Sequence, residues 1–443
     1  MNGTVNRTAG SINGGTINFN FLSIYNHSVS GQHIPTATWA VNSTCNITAT
    51  LANNSSTGQT FGNVIWNGGI LTLANNFKCN GNLTISGGTL TSATNITHTI
   101  GGDLIVNGGT FVNNGTIDVL GNLLISSGTF NIAFSTERTL NLGGNFTQTG
   151  GTLKAQAPSF ICDIVFNGTS PQVFDRANLS APSGIFNFTV DNPEGLTLNS
   201  SVDYIRDLTL TQGNVYTGSN VLTMGTSPTN RGELHWTSGT IIGNFKRWFN
   251  VQDVNVDVLF PVGTAEFYRP ANLKFTSRIG SGTITASFID EDPGKAGIPF
   301  YDGVIPINNV GIDGYWRLTI GDGFTSSTYS LDLTASGFNG INDYETLHLL
   351  KRANSSSPWI VQGTHVASTG TLSDPVVHRT GMSGFSEFGI GSPNNPLPVE
   401  LESFNALLIG KDVKLTWNTV TEVNNFGFDI ERQNKTSLHS GEL

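Results

Sequence analysis

Two stretches of this sequence carry side chains whose types and spacing suit chemistry. The denser is Asp290-Glu291-Asp292-Pro293-Gly294-Lys295, with Asp302 close behind. Carboxylates at that density supply the oxygen ligands of a calcium site in a loop between strands. The D-x-D-x-D-G order of an EF-hand is missing, and a solvated loop has the same composition. Asp290, Glu291, Asp292 and Asp302 are thus the calcium candidates, with a solvated loop as the plainer expectation. The second stretch is His235-Trp236, with Trp248 a little further on. Such rings stack on a sugar face or fill a seam between structural units. Trp236 and Trp248 are the candidates for glycan stacking.

The remaining ionisable groups offer less. Before residue 160 the charged side chains are Arg7, Lys78, Asp103, Asp118, Glu137, Arg138 and Lys154. Asp103 and Asp118 stand alone, with no Lys or Arg at a matching repeat position. Cleavage of a polysaccharide needs paired carboxylates, or calcium-binding acids with a basic residue to take the proton. Nothing in this stretch protonates a leaving oxygen or neutralises a uronate, so no catalytic residue is assigned. A G-x-S-x-G nucleophile elbow is absent as well. Cys45, Cys79 and Cys162 are odd in number and lack C-x-x-C spacing, which argues against a metal centre. Cys45 and Cys79 would pair if they sat on neighbouring coils; buried free thiols are the expectation.

What must position these groups is a repeat. Five segments align without gaps from Gly62 (GNVIWNGGIL), Gly81 (GNLTISGGTL), Gly102 (GDLIVNGGTF), Gly121 (GNLLISSGTF) and Gly144 (GNFTQTGGTL), in steps of 19, 21, 19 and 23 residues. A recurring unit of this length points to a solenoid. Apolar residues alternate with polar ones, as in a strand with one buried face. The first inward column is Val64, Leu83, Leu104, Leu123 and Phe146. The second is Trp66, Ile85, Val106 and Ile125, broken by Gln148. Glycine-rich corners follow, then Leu71, Leu90, Phe111, Phe130 and Leu153, and closing pairs such as Ile117/Val119 and Leu140/Leu142. Short strands, tight corners and no helical period predict a right-handed parallel β-helix. An antiparallel sandwich with glycine-rich hairpins explains the alternation but not the shared register of Gly, Asn and Thr.

The rest of the chain divides around this body. Residues 1–60 have weaker periodicity and are expected to be irregular first coils capping the open end. The repeat is expected to pause from Pro158 to Ser183 and resume at Phe186. One more copy starts at Arg206, and the solenoid is expected to end near Gly225, giving a first domain of 1–226. From 227 to 392 longer alternating runs (VNVDVLF, GTITASFI, TYSLDLTA) predict an antiparallel β-sandwich. Residues 393–443 read as a linker followed by three alternating runs, with Trp417 in the second: the truncated start of an immunoglobulin- or fibronectin-like module.

Composition narrows the function classes. The net charge of −10 and the lack of Lys/Arg runs argue against nucleic acid. No apolar run is long enough to span a bilayer, and MNGTVNRTAG lacks the basic-then-apolar pattern of a signal peptide. Only 12% of residues are charged. Stacked like charges repel, and Asn and Thr columns avoid that cost. A Thr-based ice- or crystal-binding face (Thr72, Thr84, Thr147) is interrupted by Ile105 and Leu124.

In combination, several motifs resemble those of large extracellular proteins of Bacteroidetes-type bacteria exported by the type IX secretion system. They are Ser43-Thr44-Cys45-Asn46-Ile47-Thr48 leading to Gln59-Thr60-Phe61-Gly62-Asn63, the Gly-Asn-Leu and Gly-Gly-Thr-Leu coils, Phe260-Pro261-Val262-Gly263 with Tyr268-Arg269-Pro270, and Leu397-Pro398-Val399-Glu400-Leu401 through Thr421-Glu422-Val423-Asn424-Asn425. The resemblance implies an extracellular or outer-surface address and a solenoid-plus-sandwich architecture, in a fragment lacking the signal peptide and the C-terminal sorting domain. It names no reaction. The expected function is structural and adhesive: a solenoid stalk displaying sandwich modules, with glycans or other cell-surface components as partners. The rival expectation is a polysaccharide lyase or hydrolase with its site at the solenoid–sandwich seam.

Overall fold

A computed structural model describes residues 1–10, 12, 15–132, 138–155, 161–176, 179–325, 327–393, 401–419 and 430. The chain is all-β, a parallel solenoid of about 11 turns followed by antiparallel sheets. Its inward columns stack in register. Leu83 lies opposite Val64 on one side and Leu104 on the other. Leu104 meets Leu123, and Leu123 meets Phe146. The corner column Leu71–Leu90–Phe111–Phe130–Leu153 is likewise continuous. All four leucines and valines from 83 to 106 in these columns are fully buried. One coil is too thin to bury such residues alone; its neighbours above and below complete the enclosure.

The recurring Asn has a specific job. At the start of each wall, one side-chain oxygen accepts the backbone N–H of the equivalent residue in the next coil. The chain runs Asn63 to Asn82 (2.8 Å), Asn82 to Asp103 (2.8 Å), Asp103 to Asn122 (2.7 Å) and Asn122 to Asn145 (2.8 Å). Corner N–H groups that no strand partner reaches are satisfied this way. The corner glycines are equally constrained. Gly88 has φ +62°, and a Cβ there would sit 1.8 Å from the Gly68 carbonyl oxygen of the preceding coil.

Three stretches depart from expectation. Residues 1–60 are not irregular in their strands: Thr4–Arg7, Ile24–His27 and Thr44–Ile47 pair in parallel and continue straight into Asn63–Trp66. Their inward positions hold Tyr25, Cys45, Arg7 and His27, with Ile47 the buried aliphatic among them, which hides the period. The expected pause is also absent, since Ile161–Phe166 and Gln172–Arg176 are further in-register strands. There the Gly-Asn signature gives way to Gln172, whose Nε2 donates to the carbonyls of Leu142 (2.7 Å) and Gly144 (2.5 Å). Lastly, Leu208 and Leu210 stack on Phe188 and Val190. They therefore continue the column of Ile117 and Leu140 rather than that of Leu104.

Parallel pairing also runs past Gly225. Strand Ile241–Phe249 lies parallel to Val215–Met224 with Ile241 on Val215 and Phe245 on Leu222. Its other edge pairs antiparallel with Gly282–Ile289. This junction strand is the last solenoid layer and the first strand of an antiparallel sheet that continues through Tyr315–Gly321, Glu387–Ser392 and His348–Arg352. A second antiparallel sheet holds Asp257–Phe260, Ala271–Arg278, Ser327–Thr334, Pro375–Ser383 and Thr364–Gly370. Rings from the two sheets meet: Phe249 lies 5.4 Å from Phe275 and Phe245 5.9 Å from Phe260. Leu401–Ile409 and Asp412–Thr419 form a separate antiparallel hairpin. The third run expected there lies, but for residue 430, outside the described residues.

Two outcomes test the stacking. Leu104→Ala should lower stability by about 2–5 kcal/mol, because it opens a cavity between two neighbouring coils, whereas Leu124→Ala on the outer face should cost under about 1 kcal/mol. Asn122→Ala, which leaves the Asn145 N–H without its acceptor, should cost about 1–2 kcal/mol, and Asp103→Asn, which keeps an acceptor, should be close to neutral. Urea unfolding midpoints of the four variants check both.

Candidate functional site

The solenoid acids are occupied by structure. Asp103 Oδ1 accepts from the Asn122 backbone and from Asn122 Nδ2 (3.0 Å), and Asp118 Oδ1 accepts from Asn141 Nδ2 (2.7 Å). The three thiols are free and buried, with Cys45 and Cys79 in different walls. Burial pushes the Cys79 and Cys162 thiols up to about 12, so they stay protonated and unreactive. The Thr face is interrupted as expected, since Ile105 and Leu124 separate Thr84 from Thr147, and Thr72 lies on another wall.

The two tryptophan candidates are set apart. Trp236 ends the short strand Leu234–Trp236, is 37% exposed, and stacks on Tyr268 with ring centroids 4.7 Å apart and planes 11° apart. Its Nε1 donates to the Gly239 carbonyl at 2.9 Å. Trp248 sits on the junction strand opposite Thr283 and is half-buried. Trp236 therefore offers a braced ring at the solenoid's end, and Trp248 belongs to the sheet.

The four calcium candidates also separate. Asp290, Glu291 and Asp292 are exposed, and Asp292 Oδ1 caps the turn by accepting the Gly294 N–H at 2.8 Å. Nearby, Arg269 Nη1 lies 3.8 Å from Asp290. Arg269 itself is buried and boxed by the rings of Phe267, Phe288 and Phe338, with Nε bonded to the Ser336 carbonyl and Nη1 to that of Asp313. It holds chain segments together.

Asp302 belongs to a different constellation. It lies on the hairpin Phe300–Asp302/Ile305–Ile307, which turns through Gly303 at φ +66°. The hairpin delivers its carboxylate to the edge where the two antiparallel sheets approach one another. His348 begins an edge strand of the first sheet; His365 and Arg379 are register partners on the second. Arg379 grips Asp302 with both terminal nitrogens, Nη1 to Oδ2 at 2.7 Å and Nη2 to Oδ1 at 3.0 Å. His348 Nδ1 lies 2.8 Å from the same Oδ2, and the His348 and His365 rings stack at 3.9 Å. Among the described residues, Asp302, His348 and His365 are the group of three whose ligand atoms lie within 4.8 Å of one another.

The electrostatics decide what this group does. Burial alone would raise the Asp302 carboxyl, but the hydrogen bonds and charges of Arg379 and His348 outweigh it and bring it down to about 2. Burial lowers His365, His348 and Arg379 lower it further, and Asp302 opposes them. Two imidazoles and a carboxylate match a borderline divalent cation. Arg379 argues against one: its guanidinium, 1% exposed, already sits across both Asp302 oxygens, and a dication beside it would face an unscreened positive charge. Nor does the Asp302–His348 pair suit proton transfer to a substrate, since the His348 side chain is 5% exposed and its ring face is covered by His365. What remains is an ion-paired clasp between two sheets and a hairpin. Sequence spacing gave no sign of it, because its members lie up to 77 residues apart.

Hollows among the described residues include one at the first coils and one on the solenoid flank. A cavity of about 840 Å³ beside the first coils is lined by Arg7, Gln32 and His33 among others. The Arg7 donors are taken by the carbonyls of Gly10 and His33 and by Gln32 Oε1. A groove of about 380 Å³ on the solenoid flank carries Asp175 and Asp203. No helix among the described residues is long and apolar enough to cross a membrane. Comparison of the chain with protein-family models, with curated proteins and with solved structures gives no match.

Proposed function

We propose that this protein is a secreted structural and adhesive component of a bacterial cell surface, in which a solenoid stalk carries a β-sandwich and an immunoglobulin-like module. The observation that carries the reading is the junction strand Ile241–Phe249. One edge completes the parallel stack and the other begins the antiparallel sheet, so hydrogen bonds run from stalk to head without a linker. That construction suits holding a head at a fixed distance and attitude. The low share of charged residues, 12%, and the use of Asp103 and Asp118 as ladder acceptors accord with a mechanical body. Export by the type IX route, suggested by the motif resemblance, accords with the same role. The exposed Trp236 ring braced by Tyr268 supplies one apolar platform of sugar-ring size at the junction.

The reading is tested by a glycan array together with surface attachment of cells lacking residues 1–443. Glycan binding that weakens about tenfold or more in Trp236→Ala, with attachment lost on deletion, is expected. Release of new reducing ends from plant or algal polysaccharides, abolished by Asp175→Asn or Asp203→Asn in the flank groove, would establish an enzyme instead.

A further inference from the structure

The Asp302 cluster carries an inference independent of any adhesive role. The hairpin Phe300–Ile307 covers a small apolar cluster of its own, Ile307, Val310, Tyr315, Leu350 and Trp359, separate from the main core. Its tip projects into solvent, with Val304 87% exposed. Among the described residues, the side-chain hydrogen bonds that tie the hairpin down are those of Asp302 to Arg379 and His348. We propose that this cluster is a proton-operated clasp: at neutral pH it closes the hairpin over the apolar cluster, and a proton on His365 opens it.

The geometry gives the reason. His365 Nδ1 is buried and has no hydrogen-bond partner. As a bare acceptor in the neutral ring it is tolerable; as an N–H in the charged ring it is a buried donor facing nothing. The charge would also lie against the stacked His348 ring, with Arg379 and His378 adding positive potential. Asp302 is the opposing carboxylate in reach, and Arg379 and His348 already hold it. A charged His365 must therefore compete for Asp302 or turn outward to water, and both break the stack. The other charged groups nearby are accounted for. His378 is bonded to Asp332 and Thr369, and Asp343 and Glu345 lie on the short turn packed against the His365 strand.

The sign follows from the direction of the shift. Folding lowers the His365 value below its ordinary 6.5. The native state thus resists the proton, and its contribution is full above that value and lost as pH falls through the folded value. The buried His27 and His98 are lowered by burial too, but they lie in the solenoid and act on their own coils.

The test is hydrogen exchange resolved by segment, corrected for intrinsic rates, at about pH 7.5 and about pH 5. Protection of residues 298–308 in the wild type should fall on the order of three- to tenfold at the lower pH, relative to the His-free residues 161–176 as an internal reference. In His365→Gln that fall should vanish, and Asp302→Asn should expose the hairpin at both pH values. Should His365→Gln destabilise the whole chain, His365→Phe keeps the stacking partner and removes the titration. An equal fall in wild type and His365 variants, or no fall in the wild type, overturns the proposal.

Discussion

A coil of this solenoid has no inside until another coil lies on it. Leu104 is buried because Leu83 is below and Leu123 above, and the same displacement that aligns these side chains aligns the backbone donors and acceptors between coils. Burial and hydrogen bonding are therefore one condition: register. A slip by a single residue would turn every inward side chain to solvent and every outward one to the core. The Asn chain from residue 63 to 145 reinforces that condition at the corners, where strand pairing lapses. Glycines such as Gly88 enforce it sterically, since a Cβ would force adjacent coils apart.

This constraint explains what could be read from the sequence. Where inward positions are aliphatic and each coil opens with Gly-Asn or Gly-Asp, columns and corners were legible to the residue. Legibility failed where a polar group does an aliphatic residue's work. Arg7 and His27 occupy the column that later holds Ile47 and Trp66. Gln148, which looked like an interruption, keeps its place and receives the Arg176 Nε bond from the next coil at 2.8 Å. Inside a solenoid a polar residue stays in register when the coil above or below supplies its partner. Single-coil patterns cannot show that, because the partner is about 20 to 30 residues away.

The grouping of the candidate residues was hidden from the sequence for a related reason. Acid density singled out Asp290–Asp292, a local signal, and grouped Asp302 with them by proximity in sequence. The fold assigns Asp302 to partners on three strands that come together only when both antiparallel sheets and the hairpin are in place. Trp236 was readable as a ring at a boundary, suited to a sugar face or a seam, but its exposure and its brace, Tyr268, follow from the chain's return after Val262 bridges to Ile241.

Charge distribution differs in degree between the two halves of the molecule. Identical layers about 4.8 Å apart would hold like charges at the distance where repulsion is strongest, so the stack relies mostly on neutral amides and hydroxyls and sets acids such as Asp103 and Asp118 against amide neighbours. Antiparallel sheets have no such repeat, and beyond the junction strand cations are used freely. Arg269 and Arg278 are each enclosed by three aromatic rings, and Arg317 and Arg352 share Glu387. Buried ion pairs of this kind add little net stability compared with apolar residues of equal volume, but each demands one geometry. The stalk obtains its single structure from repetition. The head, without repetition, obtains it from charges that have only one place to go.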